Sequence, residues 1–148
     1  MEQIFIEESN FDRARKKINE NNGKFIIFSS EDDELNRKIL EKEKINVLLL
    51  NQKERKDFQK QRNSGLNQVL AKIAKKNNII IGINLDELIK AEEKKKADII
   101  ARIRQNVKLC NKNKVKMKFI SKSNKRNQLD LQALGLVLGM PTGMIKEL

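Results

Sequence analysis

The stretch RNSGLNQVLAKIAKKNNIIIGIN, residues 62–84, decides the fold, because a helical pattern passes directly into a strand pattern. Its first aliphatic residues recur at the spacing of one buried helical face: Leu66, Val69, Leu70 and Ile73. The isoleucines at 79–81 form an unbroken aliphatic run, which is typical of a strand covered on both faces. The stretch therefore predicts a helix followed by a strand of a parallel sheet.

The same alternation continues on both sides of this stretch. We predict strands over 3–8, 24–30, 45–50, 78–84 and 114–121, and helices over 11–22, 31–44, 86–112 and 129–140 beside the helix within 62–78. Short connections between such elements indicate an α/β fold, a βα repeat with a parallel sheet in one domain spanning 1–148. Five strands, or six, are too few for a closed eight-unit barrel, which needs about 200 residues or more.

Positive charge is concentrated in the second part of the chain. Residues 1–57 hold 12 basic and 13 acidic side chains, whereas 58–148 hold 20 basic and 7 acidic ones. The formal net charge is +12. This asymmetry favours a polyanionic partner such as nucleic acid, and a solvated lysine-rich surface is the alternative.

Several kinds of chemistry are disfavoured by composition. The chain has no histidine, the usual general base and commonest metal ligand, and no glycine-rich phosphate motif. The carboxylates at 31–34 begin a helix, so we interpret them as capping charges rather than a Mg²⁺ site. Cys110, the single cysteine, falls on an apolar helical stripe and is expected to be buried. Catalysis by this chain alone is therefore not expected.

The ends of the sequence favour a cytoplasmic protein. The opening MEQIFIEESNFD is acidic and has no signal-peptide core. The longest apolar run, ALGLVLGM at 133–140, is too short to cross a bilayer, so no membrane partner is expected. A single cysteine allows no intrachain disulfide and fits a reducing compartment.

The helix within 62–78 carries the first candidate RNA site. Lys72 and Lys75 lie opposite its aliphatic face, and Asn63 or Ser64 is the predicted N-cap. Arg62 stands just before, so a phosphate could meet the helix N-terminus, the cap hydroxyl and the guanidinium together. The pattern alone equally fits a capped amphipathic helix with a solvated lysine face.

Further basic residues follow along the chain. On the long helix, Arg102, Arg104 and Lys108 are predicted outside or at the edge of the apolar stripe. Lysines at 114, 116 and 118 alternate with apolar residues, which fits RNA contact or protection of an exposed strand edge. The loop before the last helix supplies Lys122, Lys125 and Arg126, on the usual ligand face of α/β folds.

Aromatic residues are too few for a stacking surface of the common RNA-binding kinds. There is no Trp or Tyr, and four of the six phenylalanines fall in predicted strands: Phe5, Phe25, Phe28 and Phe119. We interpret these four as core residues, so nucleic acid would be contacted mainly through phosphates.

Two long motifs resemble a known family, the archaeal ribonuclease P protein component 3, or thirty-kilodalton subunit. They are RNSGLNQVLAKIAKKNNIIIGINLDELI from 62 and RNQLDLQALGLVLGM from 126, with RIRQNVKLCNKNKVKMKFISKS between them. The resemblance is good over 60–140 and vaguer over 1–59. It implies a TIM-barrel-like fold from which the first one or two βα units are missing, so that the barrel is either incomplete or closed by a partner.

The resemblance also implies a function. Members of the family are noncatalytic subunits of the ribonucleoprotein that removes 5′ leaders from precursor tRNA. The RNA and its bound Mg²⁺ carry the chemistry, and components 3 and 2 together stabilise that RNA. The implied partners are ribonuclease P RNA, component 2 and other ribonuclease P proteins, and precursor tRNA indirectly.

The family's site residues carry over onto particular positions of this chain. The matching RNA-binding positions are Arg62, Lys72, Lys75, Lys108 and Arg126, with Lys146 a looser match. Asp130, beside Arg126 in the closing motif, is expected to cap the last helix or to orient that arginine.

Two departures and two alternatives accompany the resemblance. Gln68 stands where the family usually has histidine, and Gln128 where it usually has proline, which leaves the start of the last helix less fixed.

One alternative is a basic α/β adaptor or ribosomal-RNA-binding protein. The other, less favoured, is a metal-dependent barrel hydrolase, whose site a chain without histidine can hardly build.

Overall fold

Five parallel strands form one open sheet in a computed structural model, which describes residues 2–146 and 148. The strands are β1 (Gln3–Glu7), β2 (Phe25–Ser29), β3 (Val47–Leu50), β4 (Ile80–Asn84) and β5 (Met117–Ile120). Each strand pairs with the one before it, in the order β1-β2-β3-β4-β5. The predicted α/β class, strand number and parallel pairing are confirmed.

The helices are α1 (Phe11–Glu20), α2 (Asp33–Lys42), α3 (Gln68–Lys76), α4 (Leu85–Lys90), α5 (Glu93–Asn113), α6 (Gln128–Val137) and α7 (Thr142–Ile145). The single helix predicted over 86–112 is two helices. The chain leaves the helical conformation at Ala91 and Glu92, both extended, and Glu93 has a positive φ of 47°. The helix predicted over 129–140 likewise ends at Val137, with α7 as a separate turn.

The helices cover one face of the sheet only. Buried residues of the helices pack with alternate strand residues such as Phe28, Leu48 and Ile81 in one core. The opposite face forms a second, smaller cluster made of strand residues alone: Phe5, Phe25, Ile27, Val47, Leu49, Ile80 and Ile120. A sheet wound in sequence order with all its helices on one side is the arrangement of a partial βα barrel.

The sheet curves toward the face without helices. Lys122, just after β5, places its Nζ atom 4.7 Å from the ring of Phe5 in β1, and Lys118 Nζ lies 5.5 Å from the ring of Phe25 in β2. In a flat sheet, strands β1 and β5 would be about 19 Å apart, beyond the joint reach of these side chains. Gly82 makes room inside the curve, since an added Cβ would lie 2.8 Å from Cγ1 of Val47.

Two sequence expectations about buried or capping groups are confirmed. Asp32 caps α2, its carboxylate accepting from the backbone N–H groups of Glu34 and Leu35. Cys110 is fully buried, and burial raises the pKa of its thiol to about 12, so the thiol stays protonated.

Candidate nucleic-acid interface

A long connection between β3 and α3, residues 51–67 and here called the β3–α3 loop, is held to the fold by two arginines. The Arg55 guanidinium donates to both carboxylate oxygens of Asp33 at 2.9 Å, and its Nε donates to the Asn51 carbonyl at 2.7 Å. Only 9% of the Arg55 side chain is exposed. Gly65 leaves space for it, because a Cβ there would overlap the guanidinium, and its φ of 83° also favours glycine.

The second arginine comes from α5. Arg102 Nε donates to Asp57 at 2.9 Å, and one of its terminal nitrogens donates to the Gln52 carbonyl at 3.0 Å. Its side chain is 6% exposed, so the sequence prediction that Arg102 lies outside or at the edge is wrong. The bond from Arg102, with smaller contributions from the Asn63 N–H and from Arg62, lowers the pKa of Asp57 despite partial burial.

Arg62 also faces acids. It donates to Asp57 at 2.9 Å and to Asp98 at 3.1 Å, and the bond to Asp98 is the main reason why the pKa of Arg62 is raised. Its side chain remains 43% exposed. Arg62 can therefore still meet a phosphate, but its charge is largely compensated.

The predicted phosphate site at the N-terminus of α3 does not form as expected. The helix begins at Gln68, and its N-cap is Asn67, whose side chain accepts from the Leu70 N–H at 2.9 Å. The prediction of Asn63 or Ser64 as the cap is therefore wrong. Ser64 is instead buried, only 1% exposed, and its hydroxyl accepts from the Gln105 side-chain amide at 3.1 Å. Asn63 instead binds Asp57 through its N–H and Arg55 through its side-chain oxygen.

Free lysines gather where α3 meets α5. Gln68 and Asn113 exchange side-chain hydrogen bonds of 3.2 and 3.1 Å between the two helices, so glutamine here fills a bridging position. Lys72 lies one turn beyond Gln68, and Lys108 little more than one turn before Asn113. We call the exposed basic residues of α3 and of α5 from residue 104 onward the α3–α5 lysine face: Lys72, Lys75, Lys76, Arg104, Lys108 and Lys112.

The α3–α5 lysine face is unpaired. In the part of the chain that the structure describes, none of its members takes part in a salt bridge. The Arg62 backbone lies near this face, since its carbonyl accepts from Gln105 at 3.2 Å, but its guanidinium points away and binds Asp98, which precedes Lys108 by ten residues, or about 15 Å along α5.

Arg126 and Lys146 share another corner. Arg126 precedes α6 and Lys146 follows α7, and Gln128 Nε2 donates to the Leu148 carbonyl at 2.8 Å, which joins the two segments. Both cations are exposed. The N-cap of α6 is Asn127, which accepts from the Asp130 N–H at 2.8 Å, so Asp130 as the cap is wrong. No salt bridge joins Asp130 to Arg126 among the described residues, so the orienting role is not seen either.

Asp86 positions the loop that carries Arg126. Its carboxylate accepts from the Ser121 hydroxyl at 2.6 Å, the Lys122 N–H at 2.9 Å and the Asn124 amide at 3.0 Å. Partial burial alone would raise the pKa of Asp86, but these bonds outweigh burial and hold it well below its usual range. The loop after β5 is thus fixed at the carboxyl ends of the strands.

The carboxyl ends of the strands also surround a cavity of about 540 Å³, on the face where α/β folds bind ligands. Four lysines and four carboxylates line it: Lys53, Lys90, Lys95 and Lys122 with Glu7, Asp86, Glu87 and Glu92. Burial raises the pKa of Glu87 even though it accepts from the N–H groups of Gln52 and Lys53. With balanced charge, this cavity is less suited to a polyanion than the lysine face.

Metal sites and membrane-spanning helices are both absent from the described part of the chain. Among residues 2–146 and 148, no group of three or more His, Cys, Asp or Glu side chains is placed to hold a metal ion. No helix within those same residues has the length and apolar character that a membrane crossing requires.

Known proteins resemble the chain in fold rather than in sequence family. No protein-family model matches the chain. The chain shares its fold with a chain of archaeal ribonuclease P. That structure, a cryo-EM structure of archaeal ribonuclease P with mature tRNA, contains a chain that matches 98% of the present chain with a TM-score of 0.82 and 23% sequence identity. The present chain spans 62% of the length of that chain.

Three structural features were missed by sequence reasoning. Arg55 and Arg102 turned out to be buried anchors of the β3–α3 loop, and Phe58 lies exposed at its tip. No local pattern reveals such anchors, since Arg102 and Asp57 are 45 positions apart. Phe58 did carry a signal, because it stands alone among polar residues outside every predicted element.

Proposed function

We propose that this chain is a noncatalytic, RNA-binding protein subunit of ribonuclease P, the ribonucleoprotein that removes 5′ leaders from precursor tRNA. The observation that carries the proposal is the fold shared over 98% of the chain with a chain of the archaeal complex. The proposed partners are ribonuclease P RNA and component 2, with precursor tRNA met indirectly. We propose that the chain works in the cytoplasm with this complex.

Charge supports binding to folded RNA. Residues 58–148 carry a net charge of +13, and the α3–α5 lysine face within them is exposed and unpaired among the described residues. Cations that neutralise phosphates release counterions, so binding weakens steeply with salt. The face can thereby stabilise an RNA fold that brings phosphates close together.

A noncatalytic role fits the side chains that are present. The chain has no histidine, and the carboxylates of Asp86 and Glu87 are occupied by hydrogen bonds that hold neighbouring loops. We propose that the RNA and its Mg²⁺ carry out the cleavage, and that this chain with component 2 stabilises the RNA.

Reconstitution tests this proposal. Ribonuclease P RNA and component 2 are assembled with or without the chain, and leader removal from precursor tRNA is measured at low Mg²⁺. The chain is expected to raise the cleavage rate, because protein cations replace part of the Mg²⁺ needed for RNA folding. Polylysine of matched charge concentration serves as the control for nonspecific neutralisation.

Two results would contradict the proposal. If the chain leaves cleavage unchanged and binds every RNA with equal affinity, it is a basic adaptor rather than a ribonuclease P subunit. Preferential binding to ribosomal RNA over ribonuclease P RNA would identify a ribosomal-RNA-binding protein instead.

A further inference from the structure

The tip of the β3–α3 loop presents an aromatic ring to solvent. Phe58 is 61% exposed and is the only exposed aromatic residue in the part of the chain that the structure describes. The tip is a tight turn in which the Phe58 N–H donates to the Gln61 carbonyl at 2.8 Å and the Gln61 N–H donates to the Phe58 carbonyl at 3.5 Å. Because most of the ring is in solvent, core packing does not explain an aromatic residue at this position.

The loop holds this ring in a defined place. Arg55, which lies three positions before Phe58, binds Asp33. Asp57, which immediately precedes Phe58, is bound by Arg102. Both arginine side chains are less than a tenth exposed. A connection of this length would ordinarily be mobile, but these ion pairs fix its base before any ligand arrives.

A shallow basic groove, widely open to solvent, runs beside the ring. It lies between the loop tip and the beginning of α5 and has a volume of about 710 Å³. Six basic side chains line it: Arg55, Lys56, Lys60, Arg62, Lys94 and Arg102. Two acids line it as well, Asp57 and Asp98, and Asp33 lies behind Arg55. These three carboxylates pair with the three arginines, so the positive charge of the three lysines is not compensated. We call this feature the loop groove.

We propose that the loop groove binds an unpaired segment of RNA, with one base stacked on Phe58 and the flanking phosphates at Lys56, Lys60 and Lys94. This inference rests on the proposed RNA-binding function and adds a site and a class of RNA to it. Every nucleobase has a face that can stack on an aromatic ring, but in a duplex those faces are covered by neighbouring bases. A lone exposed ring beside lysines thus selects single-stranded segments.

The surroundings of Phe58 argue against a protein partner. Its neighbours at the tip are Lys56, Gln59, Lys60 and Gln61, all exposed and polar. A protein docking site normally presents a contiguous apolar patch, whereas here one ring stands among charged and amide groups.

Direct binding measurements test the site. Fluorescence anisotropy with short labelled oligouridine and oligoadenosine is compared with a blunt RNA duplex. Phe58→Ala is expected to weaken single-strand binding at least about fivefold, the loss of one base stack, and to leave duplex binding within about twofold. Val137→Ala is the matched control, since Val137 is 63% exposed, much like Phe58, and lies at the end of α6, outside both the loop groove and the α3–α5 lysine face.

A spectroscopic readout separates stacking from a general effect. The chain has no Trp or Tyr, so Phe58→Trp introduces a single fluorophore at the proposed contact. Its emission is expected to be quenched by single-stranded RNA and unaffected by duplex, while the emission of Val137→Trp responds to neither. Because both positions are exposed, thermal unfolding of all variants should match that of the parent chain.

The outcomes distinguish this inference from the proposed function. If the parent chain binds no RNA at low salt, both proposals are wrong. If it binds RNA but Phe58→Ala and Val137→Ala behave alike, or if Phe58→Ala weakens duplex and single-strand binding equally, only the stacking site is wrong. If Phe58→Ala leaves RNA binding unchanged and weakens assembly with component 2, Phe58 contacts protein and the inference fails.

Discussion

The two arginines of the β3–α3 loop, and Arg102 of α5 that anchors it, each bind a carboxylate. On the α3–α5 lysine face, by contrast, the cations are exposed to solvent. Arg55 binds Asp33, Arg102 binds Asp57, and Arg62 binds both Asp57 and Asp98. Arginine suits this use because its planar fork donates several directed hydrogen bonds and is weakly hydrated. The strongly hydrated lysines stay outside, where they can neutralise phosphates.

Because of this difference, the net charge of the chain does not measure the charge that is available to a polyanion. The +12 of the sequence counts a guanidinium in a buried ion pair and an exposed ammonium equally. In the structure the first stabilises a loop, and only the second is available to a polyanion without displacing an acid. Variants of the two regions should therefore affect different measurements.

The largest effect is expected at Arg102. Arg102→Ala removes both the bond to Asp57 and the bond to the Gln52 carbonyl from a side chain that is 6% exposed. We expect the free energy of unfolding in urea to fall by about 3 kcal/mol, as for a broken buried ion pair. Arg104→Ala, on the exposed side of the same helix, is the control and should change it by about 0.5 kcal/mol or less. Equal losses would show that the loop does not depend on its buried arginine.

The next effect concerns RNA affinity. Replacing Lys72, Lys75 and Lys108 with alanine should lower affinity for ribonuclease P RNA about tenfold or more and reduce the slope of log K against log salt by about 2 to 3. The unfolding free energy should barely change, because all three side chains are exposed. The matched variant replaces Lys16, Lys42 and Lys44, three exposed lysines of the first 57 residues. A similar loss in that variant would mean that RNA binds through diffuse charge rather than this face.

A smaller effect should appear with pH. The pKa of Asp57 is lowered in the folded chain, chiefly by Arg102, so folding favours its ionised form. Its contribution to stability is fully present above the pKa of an unfolded Asp, about 3.9, and is lost as pH falls through the lower folded pKa. The difference in unfolding free energy between the parent chain and Asp57→Asn should shrink as pH falls below about 4. A constant difference down to the acid transition would contradict the assigned ion pairs.

The smallest effect compares two exposed arginines. Arg126 has no salt bridge among the described residues, whereas Arg62 has two. Arg126→Ala is expected to weaken assembly with ribonuclease P RNA more than Arg62→Ala and to leave unfolding unchanged. Arg62→Ala should lower the unfolding free energy by about 1 kcal/mol or less, because its pairs are partly exposed. Unfolding of either variant at room temperature would assign that arginine a structural role and remove it from the proposed interface.

Much of the fold could be predicted from local pattern. Aliphatic runs at 47–50 and 79–81, helical spacing within 62–78 and the acids at 31–34 each depend on neighbours a few positions away. The break between α4 and α5 was missed because both halves continue the same helical composition across residues 91–93. The N-caps at Asn67 and Asn127 were displaced by a few residues from the predicted Asn63 or Ser64 and Asp130, because several residues of capping type stand close together.

The sequence by itself determined the alternation of strands and helices, the burial of Cys110 and the surplus of cations after position 57, because these follow from periodicity and composition. Only the tertiary structure decided which cations are free. Arg55 and Arg102 bind acids 22 and 45 positions away, and Arg62 binds one 36 positions away as well as the nearby Asp57. The distant partners meet because the parallel sheet brings successive βα units side by side. The energy of a charge depends on what lies within a few ångströms of it, and chain folding sets that distance.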